Sequence, residues 1–330
     1  MACEGQAGRL AEALAAGLPS GLQSSNMERL GALAAFGTAI FWTASALTFE
    51  GATRRVGALA VNFYKVVGAF LLLAVAGLAT RGLAFPVDAS PRNWLYLSLS
   101  GLIGFVVADY FLFNAYVHIG SRVTVVFQAL TPLFTAAFGW LILGESMEWK
   151  GLVGMAAVVG GIMVLVVSRN AAKPGAGGRK VPAPAHAVKG YVFAFLSSVF
   201  QALGLIVSKL GLDGIGAIPA TQIRVLVAIA GFGLQGLLLG QARGLFVDAP
   251  RDGVAMKRIA LGAVVGPFLG VVLSLYALQH TNAGTASTLM ALTPVLIIPP
   301  AVILMGQKVA PGEVVGACIA VAGTALFFLV

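Results

Sequence analysis

Lys65 and Arg224 stand inside otherwise apolar runs, each about two helical turns from its start and 159 positions apart. A charged side chain near the middle of a bilayer costs about 2.5–3.5 kcal/mol on insertion scales, so each needs a reason. The chemical reason is a pair of cations lining a central cavity, where they attract the carboxylate or phosphate of a small solute. The structural alternative is snorkelling, because a long side chain two turns in can reach the headgroups. Asp109 lies inside a third apolar run, and Val271 occupies the corresponding place later in the chain. A carboxylate in that setting suits a proton-coupling group; an ion pair with Lys65 or a hydrogen-bonded cap is the bland reading.

Other polar residues fall in the same runs. Tyr116 is two turns beyond Asp109 on the same helical face, either a cavity residue or an interfacial anchor. Asn62 and Gln222 flank the two cations, and Trp42 and Gln201 pair at the same spacing of 159; all four are candidate cavity residues. Thr124, Gln128, Thr131 and Thr135 form a polar stripe at three- and four-residue spacing. Thr281, Gly284, Ser287, Thr288 and Ala291 form its counterpart. Pro132 and Pro294, each after a threonine (Thr131, Thr293), remove a backbone donor and free a carbonyl one turn back. A hinge and close packing with a mild kink both fit them, with packing favoured. Metal-ligand spacing, a phosphate-binding glycine loop and a nucleophile elbow are missing. No catalytic residue, metal ligand or cofactor is therefore expected, and the chain reads as a non-enzyme.

The elements that must hold these residues follow from composition. The 330 residues are 59% hydrophobic and 10% charged, against about 25% charged in soluble domains. Only a bilayer offers so much apolar surroundings. The formal charge of +9 comes from short clusters in loops, which points to anionic headgroups rather than nucleic acid. Cys3 and Cys318 are too isolated for a disulfide framework. A helix that crosses the bilayer needs about 20 apolar residues. Runs at 30–49, 58–79, 94–116, 122–143, 150–168, 190–210, 217–240, 258–279, 284–305 and 311–330 predict ten transmembrane helices.

The ten are five used twice. Ala129-Leu130-Thr131-Pro132 recurs as Ala291-Leu292-Thr293-Pro294, 162 positions later, and the same shift lays Gly104 on Gly266, His118 on His280 and Gly161 on Gly323. The first two runs of each half match at 159 instead, with Gly31 on Gly190 and Lys65 on Arg224. An odd number of spans makes the second copy enter from the opposite face. The expected fold is therefore all-α integral membrane, two inverted five-helix repeats as recur in secondary transporters. Residues 1–28 read as a disordered leader or over-extended start, 29–168 as the first repeat, 169–189 as a basic Gly/Pro linker and 190–330 as the second repeat.

The stretch from Ala129 through Leu143-Gly144-Glu145, the glycine-spaced run Gly151 to Val167, and the basic residue in each second helix resemble the EamA family of the drug/metabolite transporter superfamily. The resemblance covers about 29–330. It implies ten helices, export or exchange of a small polar metabolite such as an amino acid by alternating access, and a bacterial inner-membrane location with both termini cytoplasmic. The expected partners are membrane lipids and a small-molecule substrate, with protons as candidate coupling ions and no nucleic acid. A channel-like facilitator and a non-transporting scaffold are the alternatives. One departure stands out: Gly144-Glu145 in the first half is matched by Gly306-Gln307 in the second. The charge bias also opposes the implied orientation, because Arg9, Arg29, Arg81, Arg92, Lys150 and Lys209 make the N-terminal side the less basic one.

Overall fold

A computed structural model describes residues 20–128, 130–171, 184–296, 298–299, 303 and 309–326. The leader before Ser20, most of the Gly/Pro linker, Ala129 and the Gly306-Gln307 pair lie outside the described residues, as do the side chains of Tyr116 and Pro294. Among the described residues there are helices and turns but no strand. In chain order they are α1 (Ser20–Val56), α2 (Ala58–Arg81), α3 (Pro91–Gly101), α4 (Ala108–Gln128), α5 (Thr131–Phe138), α6 (Trp149–Ala171) and α7 (Pro184–Leu210). The second half continues with α8 (Ala217–Leu238), α9 (Gly253–Ala263), α10 (Val271–His280), α11 (Ala283–Met290), α12 (Thr293–Leu296) and α13 (Pro311–Ala325).

Six described helical stretches are long and apolar enough to cross a membrane: Ala58–Arg81, Pro91–Leu112, Trp149–Ser168, Val188–Leu210, Ala217–Leu238 and Gly253–His280. Thr131–Leu143 and Pro311–Gly323 are shorter apolar helices. Large apolar side chains such as Leu71, Val75, Trp140, Leu141, Leu238 and Val321 face outward, where lipid rather than water satisfies them. The interior is built from smaller residues, Ala35, Ala39, Ala115, Ala202, Ala277 and Ala286 among them, which lets helices close up without a hydrophobic drive between them.

Local chemistry sets the helix ends. Gly82 takes φ 70 and returns its N–H to the Leu78 carbonyl, closing α2. Ser90 caps α3 by accepting from Asn93 N at 3.2 Å, and the Asn93 side chain accepts from Ser90 N at 2.9 Å. This is a reciprocal capping box. The residue 162 positions on, Asp252, caps α9 by accepting from Ala255 N at 2.9 Å. Its other oxygen accepts from Arg55 Nε at 2.7 Å, so α1 is tied to the start of α9. The Ala255 N–H and then Arg55 hold the Asp252 carboxyl below the usual carboxylate range. A lowered pKa contributes stability above the usual range that is lost as pH falls through the lowered value. We expect Asp252→Ala to lower the melting temperature at neutral pH, with the difference from the parent vanishing in acid; equal penalties at both pH values would show that the carboxylate is idle.

The repeat is visible as an exchange of contacts. A Cβ on Gly31 of α1 would sit 3.0 Å from the His280 carbonyl carbon of α10, and one on Gly190 of α7 would sit 2.9 Å from the His118 Cβ of α4. Thr38 donates to the Gly270 carbonyl at 3.3 Å, while Ser197 donates to that of Ala108 at 3.0 Å. Gly266 abuts Ser45 as Gly104 abuts Gly204. Each pair maps onto the other by the spacings of 159 and 162, with the halves swapped, as a two-fold rotation demands. The first helix of each half thus seats against the third helix of the other. Both third helices widen to π geometry at the same place, Leu102–Val107 and Val264–Gly270. Only the second contains a proline, Pro267, so a missing donor is not the common cause.

Several boundaries differ from expectation, among them the starts of α7 at Pro184, inside the expected linker, and of α9 at Gly253, ahead of the runs predicted from 190 and 258. Helix α1 begins at Ser20, ahead of the run predicted from 30. Helical geometry continues through the loop expected between the third and fourth spans, over Ala108–Gln128, where the only breaker is Gly120. The contacts nonetheless require the chain to turn back inside it. His118 lies beside Gly190 of α7, whereas Phe127 and Gln128 bond to Ser198 and Ser197, two turns along the same helix.

Candidate functional site

The in-span charges come together along the π-widened third helix. Lys65, seven residues into α2, places Nζ 3.9 Å from the Asp109 carboxylate at the start of α4. The two side chains are 18% and 11% exposed, and Lys65 also lies 5.8 Å from the Phe49 ring of α1. Of the readings open to Asp109, the structure contains the ion pair. Arg224, seven residues into α8, comes from the other half and packs across the interface onto α3. Its backbone abuts Gly101, and Nη2 is 3.5 Å from where a Cβ on Gly104 would be. The guanidinium carbon stands 5.0 Å from the Phe105 ring centroid. The residue is 5% exposed, and its Nε has no hydrogen-bond partner among the described residues. A buried donor left unmet costs about 1–3 kcal/mol, more for a charged group.

The remaining candidates divide. Asn62 is buried one turn before Lys65 on α2. Gln222 is buried on α8 but donates to the Ala84 carbonyl at 2.9 Å, bracing the loop between α2 and α3. Gln128 donates to Ser197 at 2.7 Å and accepts from Thr131 at 3.3 Å, holding the fourth helix to α7. Trp42 is half-buried against Gly270, and Gln201 is half-buried on α7. At both copies of Ala-Leu-Thr-Pro the helix is interrupted by a turn, Leu130 in one and Ala291-Leu292 in the other, and restarts at Thr131 or Thr293. Thr135 spans its own helix by donating to the Thr131 carbonyl, and Thr43 of α1 reaches the Thr293 carbonyl at 3.5 Å.

A second cluster was not singled out from sequence. Lys209, in the last turn of α7, has Nζ 2.5 Å from Glu145 Oε1 and 2.6 Å from the Thr281 carbonyl. Glu145 Oε2 accepts from Ala283 N, the first residue of α11, at 2.8 Å. A lysine at a helix C-terminus and a carboxylate at a helix N-terminus both suit the helix dipole. This clasp joins the end of the first half's fourth helix to two segments of the second half. The signal available in sequence was the spacing of 159, which pairs Lys209 with Glu50. Beside the clasp is an open cavity of about 390 Å³ lined by Trp140, Glu145, Met147, Leu152, Asn282 and Gly284; Lys65, Asp109 and Arg224 do not line it.

Helix α6 meets α13 through glycine on glycine. A Cβ on Gly161 would sit 2.6 Å from the Gly316 carbonyl oxygen, and one on Gly323 would sit 2.8 Å from that of Gly154. These are again mirrored pairs.

Described residues that are helical without strands, six membrane-long helices among them, an apolar exterior and charges buried where two repeats meet make this an integral membrane protein of two-repeat architecture. The model of the EamA-like transporter family matches residues 29–167 and again 188–329. The chain belongs to that family, a branch of the drug/metabolite transporter superfamily. An uncharacterized transporter of Clostridium kluyveri is 24% identical over 78% of this chain and 79% of its own length. A probable terminal-alkyne amino-acid exporter of Streptantibioticus cattleyicolor is 30% identical over 36% of this chain and 37% of its own. A solved crystal structure shares the fold with a TM-score of 0.70, at 20% identity over 91% of this chain and 96% of that one.

Proposed function

We propose that this protein is a secondary transporter that exports or exchanges a small polar metabolite, an amino acid or a related compound, by alternating access. In this reading ten helices form two inverted repeats, 29–168 and 190–330, about an axis in the membrane plane. The cargo passes between the halves, where Lys65, Asp109 and Arg224 lie. The observation that carries the reading is Arg224: a buried guanidinium of one half set against the π-widened third helix of the other. Ion pathways and substrate sites are the usual reason to keep such a charge inside a membrane. The low-identity kinship to a probable amino-acid exporter supports the class of cargo. Protons are the proposed coupling ion, through Asp109, and lipids are the surrounding partner. We place the protein in a bacterial inner membrane with its termini in the cytoplasm.

Saturable counterflow in proteoliposomes tests the proposal. Labelled amino acid should exchange against unlabelled, and the Lys65→Ala, Arg224→Ala double variant should lose the exchange. Flux that never saturates would mean a channel-like facilitator, and flux indifferent to the double variant would mean that these residues do not carry transport.

The Glu145–Lys209 clasp is the proposed gate at the face where α1 begins. The repeat spacings pair Glu145 with Gln307 and Lys209 with Glu50, so the sequence does not repeat the charges of the clasp in the other half. Charged hydrogen bonds of this kind are worth about 1.5–3 kcal/mol. Glu145→Gln should therefore shift the population toward opening at the clasp face by about tenfold or more. Thiol-reagent labelling of a cysteine placed at Ser287 on α11, in a background without Cys3 and Cys318, reads that shift. Unchanged labelling would mean that the clasp is a static brace.

A further inference from the structure

The two in-span cations hold mirrored positions, but their surroundings are not mirrored. Lys65 has Asp109 as its counter-ion. The residue that mirrors Asp109 is Val271, which is buried within the main apolar core. Arg224 forms no ion pair among the described residues, and its Nε has no hydrogen-bond partner there. The Phe105 face stacked 5.0 Å away returns part of the cost of burying the charge, less than an opposite charge would. Of the three charges gathered at this site, Lys65, Asp109 and Arg224, two cancel and one positive charge remains.

We infer that the cargo site centred on Arg224 takes a solute with one net negative charge, a monocarboxylate, held by the Arg224 guanidinium. The inference rests on the transporter reading above and shifts its preferred cargo from the amino acid to a related monocarboxylate, with the amino acid as the weaker cargo. A carboxylate fits the planar guanidinium fork in a two-point hydrogen bond, and one such group makes the occupied site neutral. A phosphomonoester, at about −1.5 to −2 near neutral pH, overshoots that balance. A zwitterionic amino acid leaves the site positive, and a neutral or cationic amide does no better. Glycines stand beside Arg224: Gly101 lets the α8 backbone close onto α3, and Gly104 leaves no side chain of its own against Nη2. The mismatch of halves also gives the site a polarity: the cargo's carboxylate docks on the second half and the rest of the molecule lies toward the Lys65–Asp109 pair.

The mirrored positions supply the test. Val271→Asp gives Arg224 the counter-ion that Lys65 already has, and Val271→Asn makes the same change of shape without the charge. The purified protein carrying aspartate should melt above the one carrying asparagine, because the new carboxylate neutralises Arg224. The reverse order overturns the inference. Melting is also measured with matched probes on the leucine, methionine and phenylalanine skeletons, each as 2-oxo acid, amino acid and amino-acid amide. In the parent protein the 2-oxo acid should stabilise with at least about tenfold tighter apparent affinity than the other two. Arg224→Gln and Val271→Asp should both abolish that preference. Amino acid or amide acting as well as the oxo acid overturns the inference. If no probe shifts melting, the inference is overturned whatever the order of the two Val271 variants. Saturable counterflow of amino acids that ignores Arg224→Gln leaves the transporter standing and removes only the charge selection, whereas non-saturating flux of every probe removes the transporter reading itself.

Discussion

Asp109→Val will lower the stability of this protein by about 3–5 kcal/mol, and adding Lys65→Met will restore most of the loss. The single change leaves an ammonium group, 18% exposed, without the carboxylate that neutralises it. The Phe49 ring at 5.8 Å is too far and too weak to replace that carboxylate. Two apolar side chains of similar volume avoid both the lone charge and the cost of taking a pair of ions out of water. Buried pairs replaced in this way are often no less stable. Folded yield and melting temperature in detergent measure the effect. The same double variant separates structure from transport: if the pair serves only packing, a refolded double variant will still support counterflow. If the pair carries the proposed proton coupling, the double variant will fold and fail to transport. A single variant as stable as the parent would show that the pair contributes nothing to the fold.

Gly161→Leu will cost about 4 kcal/mol or more, placing it among the rare severe substitutions. At Gly161 even a Cβ would come within 2.6 Å of both the Gly316 carbonyl oxygen and the Ala320 nitrogen. Those atoms are backbone and cannot rotate away, so α6 and α13 would have to separate along the whole seam. Gly160, its neighbour, has nothing within 4 Å of the corresponding point, and Gly160→Ala should be silent or slightly stabilising through its helix propensity. Expression level and melting temperature of the two variants compare the positions directly. Similar behaviour of both would mean that the seam is not a tight contact in the membrane.

Much of the frame was readable from residues alone because it rests on signals that survive without three-dimensional context. The spacing of 162 predicted that Gly104 and Gly266, or His118 and His280, are equivalent, and the structure gives each pair equivalent neighbours. The mirrored cations were visible as charges where charges are expensive. The partners of those charges were less legible. Nothing in sequence says that Lys65 reaches Asp109 while Gln222 turns away to the Ala84 carbonyl; that depends on side-chain rotamers and on how far α8 is rotated. The Lys209–Glu145 clasp escaped for a related reason. Each residue reads as an ordinary loop charge at a helix end, and only the crossing of the halves brings them within 2.5 Å. The π segments left no trace in periodicity, because one extra residue per turn over Leu102–Val107 shifts an all-apolar pattern that has no polar face to mark the slip.

The exchange of contacts between halves also sets a timetable for biosynthesis. Helix α1, Ser20–Val56, finds its seat on the segment Gly253–His280, roughly two hundred residues further along the chain. At about 5–20 residues per second of synthesis, α1 waits some 10–40 s in the lipid before the surface it packs against exists. The alanine and threonine face that this contact buries, Ala35, Thr38 and Ala39, must stay unaggregated while it waits. Degradation of truncated chains should therefore fall sharply once the nascent protein extends past His280, before α13 is made.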